Sequence, residues 1–146
     1  MAVHKTPFLQ LTTVAAAQGV GDAVTTMANF SSLPKSGTIM SMSLIDLGRA
    51  TPGILLEVYL SQQTFTETTV NAAFDPSDTD ILNCVGMILV PVASYSAFAD
   101  STISVQDNIG LPYYTPNGEL YLQVIGRGAI TPGSTTDLLL SLGIVY

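Results

Sequence analysis

Few residues in this sequence could do acid–base or nucleophilic chemistry. His4 is the sole histidine among 146 residues, and it lies beside the N-terminus, where chains commonly fray. A Ser-His-Asp hydrolase needs a rigidly held histidine, and a cupin-type metal site needs several histidines with a carboxylate. Glu57, Glu67 and Glu119 could serve sugar cleavage, but their spacing places no two of them across a bond. We therefore expect a non-enzymatic protein.

The best candidate for a cation site is the acidic run at 75–80. Asp75, Asp78 and Asp80 supply three carboxylates within six residues, which could bind calcium in a loop. The run lacks the glycine and the distal glutamate of the calcium-loop motif. Pro76 and Ser77 in this setting are also typical of a turn that caps a short helix. We favour the turn and cap, and predict no metal and no cofactor.

The composition indicates a protein that assembles with other chains. Charged residues make up only 10% of the sequence, as 4 basic and 11 acidic side chains, where roughly 25% is typical. The surface must therefore consist of Ser, Thr, Gly, Asn, Gln and apolar side chains. Such a surface suits burial against partners, because charged residues are depleted at the centres of interfaces.

Charge and hydropathy exclude two classes of partner. The net charge of −7 argues against nucleic-acid binding, which needs clustered Lys and Arg. The most nearly apolar stretch, 84–93, is interrupted by Pro91 and is shorter than the roughly 20 residues of a membrane helix. Near the N-terminus we see no continuous apolar signal core. Cys84, the one cysteine, is expected to be a small buried apolar residue.

Short apolar runs separated by Gly, Pro, Asn and Asp predict an all-β fold. Alternation places Leu120, Leu122 and Val124 inward, and likewise the even-numbered residues from Leu138 to Ile144. The expected strands are 8–17, 22–27, 37–47, 54–61, 81–93, 101–105, 119–127 and 138–146. The continuous apolar character of 81–93 predicts a strand covered on both faces. About eight antiparallel strands indicate a single-domain, jelly-roll-like β-sandwich. Residues 37–146 form the sandwich, and 1–36 are an extended N-terminal arm or the first weak strands.

Two connections and one long loop stand out between the expected strands. The segments 48–53 and 126–133 both end in Pro-Gly, which suits a type II turn, and we expect each to close a hairpin. Residues 62–80 show little strand signal and contain Phe65 and Phe74. These aromatic side chains could anchor a partner or plug one end of the core, and we favour the plug.

Four segments resemble small virion proteins of tailed bacteriophages, of the head-decoration or cement kind. The segments are 1–6, 36–60, 71–80 and 120–143, so the resemblance spans most of the chain. The most distinctive run is Asn-Ala-Ala-Phe-Asp-Pro-Ser-Asp, which starts at Asn71. The resemblance carries no catalytic motif.

The resemblance implies a β-sandwich that forms a homotrimer and binds the outside of the capsid shell. Its partner would be the major capsid protein, and its location the virion surface after synthesis in the host cytoplasm. The expected interface residues are Val3, His4, Phe8, Arg49, Phe65, Phe74, Tyr113, Tyr114 and Arg127. Two other functions stay open: a tail, fibre or head-fibre subunit that binds a host receptor, and a free carbohydrate-binding module.

Overall fold

The computed structural model describes residues 1–51 and 54–146, and most of its regular structure is β-strand. Ten strands form two antiparallel sheets, one of six strands and one of four. The strands are β1 (Val3–Lys5), β2 (Leu9–Leu11), β3 (Ala28–Phe30), β4 (Ser36–Asp46), β5 (Leu56–Ser61), β6 (Cys84–Val90), β7 (Tyr95–Ala97), β8 (Thr102–Tyr114), β9 (Leu120–Gly126) and β10 (Leu138–Val145). A short helix, α1 (Asp78–Ile81), precedes β6, and a 3-10 turn (Val92–Ser94) follows it. The predicted all-β sandwich is confirmed, with ten strands instead of about eight.

Eight of the ten strands pair in a nested order, the first with the last. β2 pairs with β10, β3 with β9, β4 with β8 and β5 with β6, and every pair is antiparallel. The resulting orders are β2-β10-β4-β8 in one sheet and β3-β9-β5-β6 in the other. This nesting of two four-stranded sheets is that of a jelly roll. β1 and β7 extend the first sheet, beside β10 and β8 respectively.

The core lies between the sheets and follows the predicted alternation of side chains. The inward residues of β5, β9 and β10 are all buried: Leu56, Val58, Leu60, Leu120, Leu122, Val124, Leu138, Leu140, Leu142 and Ile144. Each such side chain contributes about 1.5–3 kcal/mol by leaving water. The period of two therefore identified the inward face of these strands correctly.

Two strands differ from the prediction. β6 is covered on one face only: Ile88 and Val90 are buried, whereas Met87 and Leu89 are exposed. The prediction that both faces are covered is wrong, because the cluster of Tyr59, Phe65 and Ile125 that covers the neighbouring strands does not extend over Met87 and Leu89. β8 continues nine residues beyond the predicted end at 105. A bulge lies near Asn108 and Gly110, both at positive φ (57° and 69°). It interrupts the alternation of side chains, so the sequence pattern did not indicate the second half of β8.

The two connections with Pro-Gly are corners between the sheets, so the hairpin prediction is wrong. β4 and β5 lie in different sheets, as do β9 and β10. The first corner is organised by Asp46, which is buried and whose carboxylate accepts hydrogen bonds from the Gly48 and Thr51 backbone N–H groups at 2.9 and 2.7 Å. The Leu47 N–H donates to the Asp137 carbonyl and joins the two corners. Pro52 and Gly53 lie outside the described residues.

Residues 1–36 contribute strands to both sheets. β1 and β2 lie one after the other along the same edge of β10, and β3 pairs with β9. Ala2 and Tyr146 exchange backbone hydrogen bonds at 2.8 and 3.0 Å. The predicted strand 8–17 is shorter in the structure, as β2. The predicted strand 22–27 forms only isolated bridges, at Asp22 and Ala23. In this structure the N-terminal residues thus form an edge of the sandwich.

Candidate functional site

The four-stranded sheet is covered over β5 and β9, on its outward side, by the chain itself. Tyr59 points outward from β5, and its ring packs against Phe65 and Phe74, with centroids 5.2 Å away in both cases. The Tyr59–Phe65 pair is edge-to-face, a favoured aromatic geometry. Together with Ile125, these residues form a second apolar cluster, separate from the main core. Residues 62–80 therefore lie over this sheet as a cover.

Gln123 fastens this cover to the sheet. It is fully buried on β9, and its amide nitrogen donates to the Thr25 and Thr68 carbonyls. Its side-chain oxygen accepts from the Thr68 N–H at 3.2 Å. Because buried amide groups are costly unless they are paired, this set of bonds holds the 62–80 segment in one position. Phe65 is buried and Phe74 half-buried beneath it, so both rings contact their own sheet.

The raised pKa of Tyr59 predicts that the fold loses stability at alkaline pH. Burial raises the pKa of Tyr59 from 10.0 to about 12, and the neighbouring Cys84 thiol adds to the shift. Because the folded pKa lies above the unfolded value, stability is complete below pH 10 and is lost as the pH rises toward 12. In a Cys84→Ser background, which removes thiol titration, Tyr59→Phe should flatten the fall of the urea midpoint above about pH 9.5. Equal slopes with and without Tyr59 would contradict this assignment.

The six-stranded sheet leaves its outward side bare. The outward residues of its three central strands face one another across the register: Leu139, Ile45 and Ile103 form one row, and Ser141, Ser43 and Val105 form the next. Gly143 and Ser41 begin a third row. We call these eight residues the outer face. The hydrogen bonds of residues 1–51 and 54–146 hold no loop across it, in contrast to the covered sheet.

The outer face carries no charge at its centre, and one of its serines, Ser141, is buried. Val105 is 46% exposed, and Leu139, Ile45 and Ile103 are half-buried against one another. A Cβ at Gly143 would overlap the Ser41 hydroxyl, so the glycine leaves room for that side chain. Small residues and aliphatic side chains thus make a surface that can lose its water without burying a charge.

Two charges of opposite sign flank the outer face. Lys5 on β1 lies opposite Gly143, and Asp107 on β8 lies opposite Ser41, so the two charges end the same row on opposite sides. Both side chains are exposed. Charges at the rim of an interface contribute more to orientation and association rate than to affinity. The outer face therefore has an uncharged centre and charges at its rim.

The expected interface residues are distributed over the molecule. Val3 and Tyr114 are exposed at the end of the six-stranded sheet, next to the outer face. Tyr113 is buried, and its hydroxyl donates to the Pro34 carbonyl at 3.0 Å. Tyr113 therefore packs within its own chain, as Phe65 does. The sequence led us to expect both aromatic residues at an interface, and it did not indicate the outer face.

Four further expected residues lie away from the outer face. His4 and Phe8 line a groove of about 410 Å³ with Phe30 from the other sheet. The Arg49 guanidinium donates to the Ala99 carbonyl at 3.0 Å. Arg127 forms an ion pair with Glu57 at 2.8 Å. Both arginines thus already have partners within the chain.

The acidic run at 75–80 forms a helix cap. Ser77 is the N-cap of α1, and its hydroxyl accepts from the Asp80 N–H at 3.1 Å. The Asp80 carboxylate in turn accepts from the Thr66 N–H and the Ser77 hydroxyl, and these bonds lower the pKa of Asp80. The turn-and-cap prediction is confirmed. Within the described residues, no three His, Cys, Asp or Glu side chains lie close enough to hold one metal ion.

Comparisons with known proteins assign no family to this fold. No protein-family model matches the chain, and no curated protein shows significant similarity to it. In the part of the chain that the structure describes, no helix has the length and apolar character needed to cross a bilayer.

Proposed function

We propose that this protein is a structural virion subunit of a tailed phage that binds the outside of the capsid shell. In this proposal it bridges neighbouring copies of the major capsid protein and so stabilises the shell. The observation that carries the proposal is the outer face, which has no loop across it and no charge at its centre, while residues 62–80 cover β5 and β9 of the opposite sheet. The sequence resemblance to head-decoration proteins supports the same function.

The physical basis is desolvation without burial of charge. Ile45, Ile103, Val105 and Leu139 can exclude water against a partner at about 25 cal/mol per Å² of apolar surface. The serines between them are small enough to let a second surface approach closely. No ionised group at the centre has to give up its hydration, which is the largest cost in many polar interfaces. The face therefore suits stable attachment to another protein.

Shell stabilisation follows from repetition. Packaged DNA pushes outward on a filled capsid, so neighbouring subunits must separate before it opens. A protein that contacts two subunits adds area that must be exposed in that separation. Since a shell repeats the contact many times, modest individual affinities combine through avidity.

Introducing a charge at the centre of the outer face should weaken shell binding. We expect Val105→Lys to reduce co-sedimentation with assembled shells at least tenfold, about 1.4 kcal/mol or more, because the ammonium would lose its hydration against the shell. Val20→Lys is the matched control: Val20 is 69% exposed and is not part of the outer face. The two variants should have equal urea midpoints.

Two results would contradict the proposal. Shell binding unchanged by Val105→Lys would remove the outer face from the interface. A wild-type chain that ignores shells but binds a glycan in isolation would instead support a carbohydrate-binding module.

A further inference from the structure

The strands at the sheet edges differ in how well they are protected against pairing. Four of them, β1, β2, β3 and β7, have three residues each. β6 has seven residues, none of them charged and none of them proline. An exposed, uncharged edge strand is a template for another strand, and natural proteins usually blunt such edges.

The other long free edge shows that blunting. β8 extends beyond its three-residue partner β7, so its stretch after Val105 pairs with a strand on one side only, although Leu111 of this stretch also lies against Gly86 of β6. This stretch carries Asp107, the bulge near Asn108 and Pro112. A charge, a bulge and a proline are the devices that prevent edge pairing. On β6 a bulge at Val85 precedes five residues, Gly86–Val90, that pair regularly with β5.

The free edge of β6 is also lined by apolar side chains. Met87 and Leu89 point to the outside of the sheet and are 44% and 50% exposed. Before the strand, Ile81 and Leu82 are exposed, and after it Val92 is exposed as well. Exposed apolar side chains thus lie on this strand and at both of its ends, and apolar groups exposed together often mark a binding site.

We propose that two copies of this chain pair through β6, antiparallel, and form one continuous eight-stranded sheet from their four-stranded sheets. Two identical edges satisfy each other only about a two-fold axis. Each chain carries a net charge of −7, yet β6 brings no charge into the contact, so self-association meets little local repulsion. With the axis at Ile88, the centre of Gly86–Val90, Met87 of one copy lies opposite Leu89 of the second copy.

This dimer is a property of the free chain and does not depend on shell binding. It places the outer face, on the other sheet, outside the contact between the copies. It also differs from the homotrimer that the sequence resemblance implies, since isologous pairing gives a two-fold assembly. The native mass separates the two.

Cysteine cross-linking in a Cys84→Ser background tests the register. Opposed residues in antiparallel strands have Cα atoms about 4.5–5.5 Å apart, which permits a disulfide. Mixing Met87→Cys with Leu89→Cys chains under mild oxidation should give disulfide-linked dimers. Dimers from one variant alone would move the axis to that residue and would also support pairing. Val105→Cys, on the other sheet, should give none, and absence of all β6 cross-links would overturn the proposal.

Light scattering without shells tests the association itself. We expect wild type at twice its 15.3 kDa, Leu89→Lys as a folded monomer, and Val105→Lys still as a dimer. A monomeric or trimeric wild type would overturn the proposal, as would a dimer unchanged by Leu89→Lys. If the free chain is a monomer and Leu89 becomes protected from solvent only when shells are added, the edge of β6 binds the shell protein, and the dimer proposal is overturned as well. None of these outcomes depends on whether the outer face binds shells.

Discussion

Asp46→Ala should lower the free energy of unfolding by about 3 kcal/mol. The Asp46 side chain is 1% exposed and accepts three hydrogen bonds at the corner that follows β4. Alanine would leave the Gly48 N–H, the Thr51 N–H and the Thr51 hydroxyl without this acceptor. Unpaired buried donors cost about 1–3 kcal/mol each, reduced wherever water enters.

Urea unfolding measures this effect. Asp107→Ala is the control, because Asp107 is an exposed aspartate of the same sheet, and such a change usually stays within about 0.5 kcal/mol. Asp46→Asn should fall between the two, since an amide keeps one acceptor oxygen but presents an NH₂ group to the other donors. A loss below about 1 kcal/mol in Asp46→Ala would show that the corner does not depend on the carboxylate.

Deleting residues 2–10 should destabilise the fold by at least about 3 kcal/mol and promote aggregation. The deletion removes β1 and two of the three residues of β2. It would also remove the buried Thr6, whose hydroxyl accepts from the Leu142 N–H at 2.9 Å. β10 would still pair with β4, but its other side would become a long, apolar edge without a partner, which is an aggregation site.

Thermal unfolding, monitored together with aggregation by light scattering, shows whether residues 2–10 are part of the sandwich or form an arm outside it. An arm outside the sandwich could be removed with no change in stability, so unchanged unfolding would contradict the pairing of β1 and β2 with β10. Val3→Ser, which alters an exposed side chain of the same segment, controls for changes in surface hydrophobicity. It should unfold like the wild type.

The sequence predicted strands best where alternation was long and unbroken. β4, β5, β9 and β10 lie within a few residues of the expected ranges. β8 was cut short because Asp107, Asn108 and Gly110 interrupt the period of two at the bulge. Such an interruption has the same appearance in sequence as a turn. Only the continued pairing with β4 distinguishes them, and that pairing is tertiary.

The candidate site was less accessible to sequence reasoning than the fold. Low charge predicted an assembling surface, but the outer face depends on which sheet the 62–80 segment covers. The position of this segment is fixed by hydrogen bonds among Gln123, Thr25 and Thr68, which are far apart in the chain. Ser43 and Val105 alternate like any half-exposed strand residues. Nothing local marks them as neighbours on a bare surface.

The most direct test of shell stabilisation is the temperature at which assembled shells break open, measured with and without this protein. We expect saturating wild-type protein to raise that temperature and Val105→Lys at the same concentration to raise it much less. Val20→Lys should act like the wild type. A disruption temperature that wild-type protein leaves unchanged, in shells shown to have bound it, would contradict the proposed function.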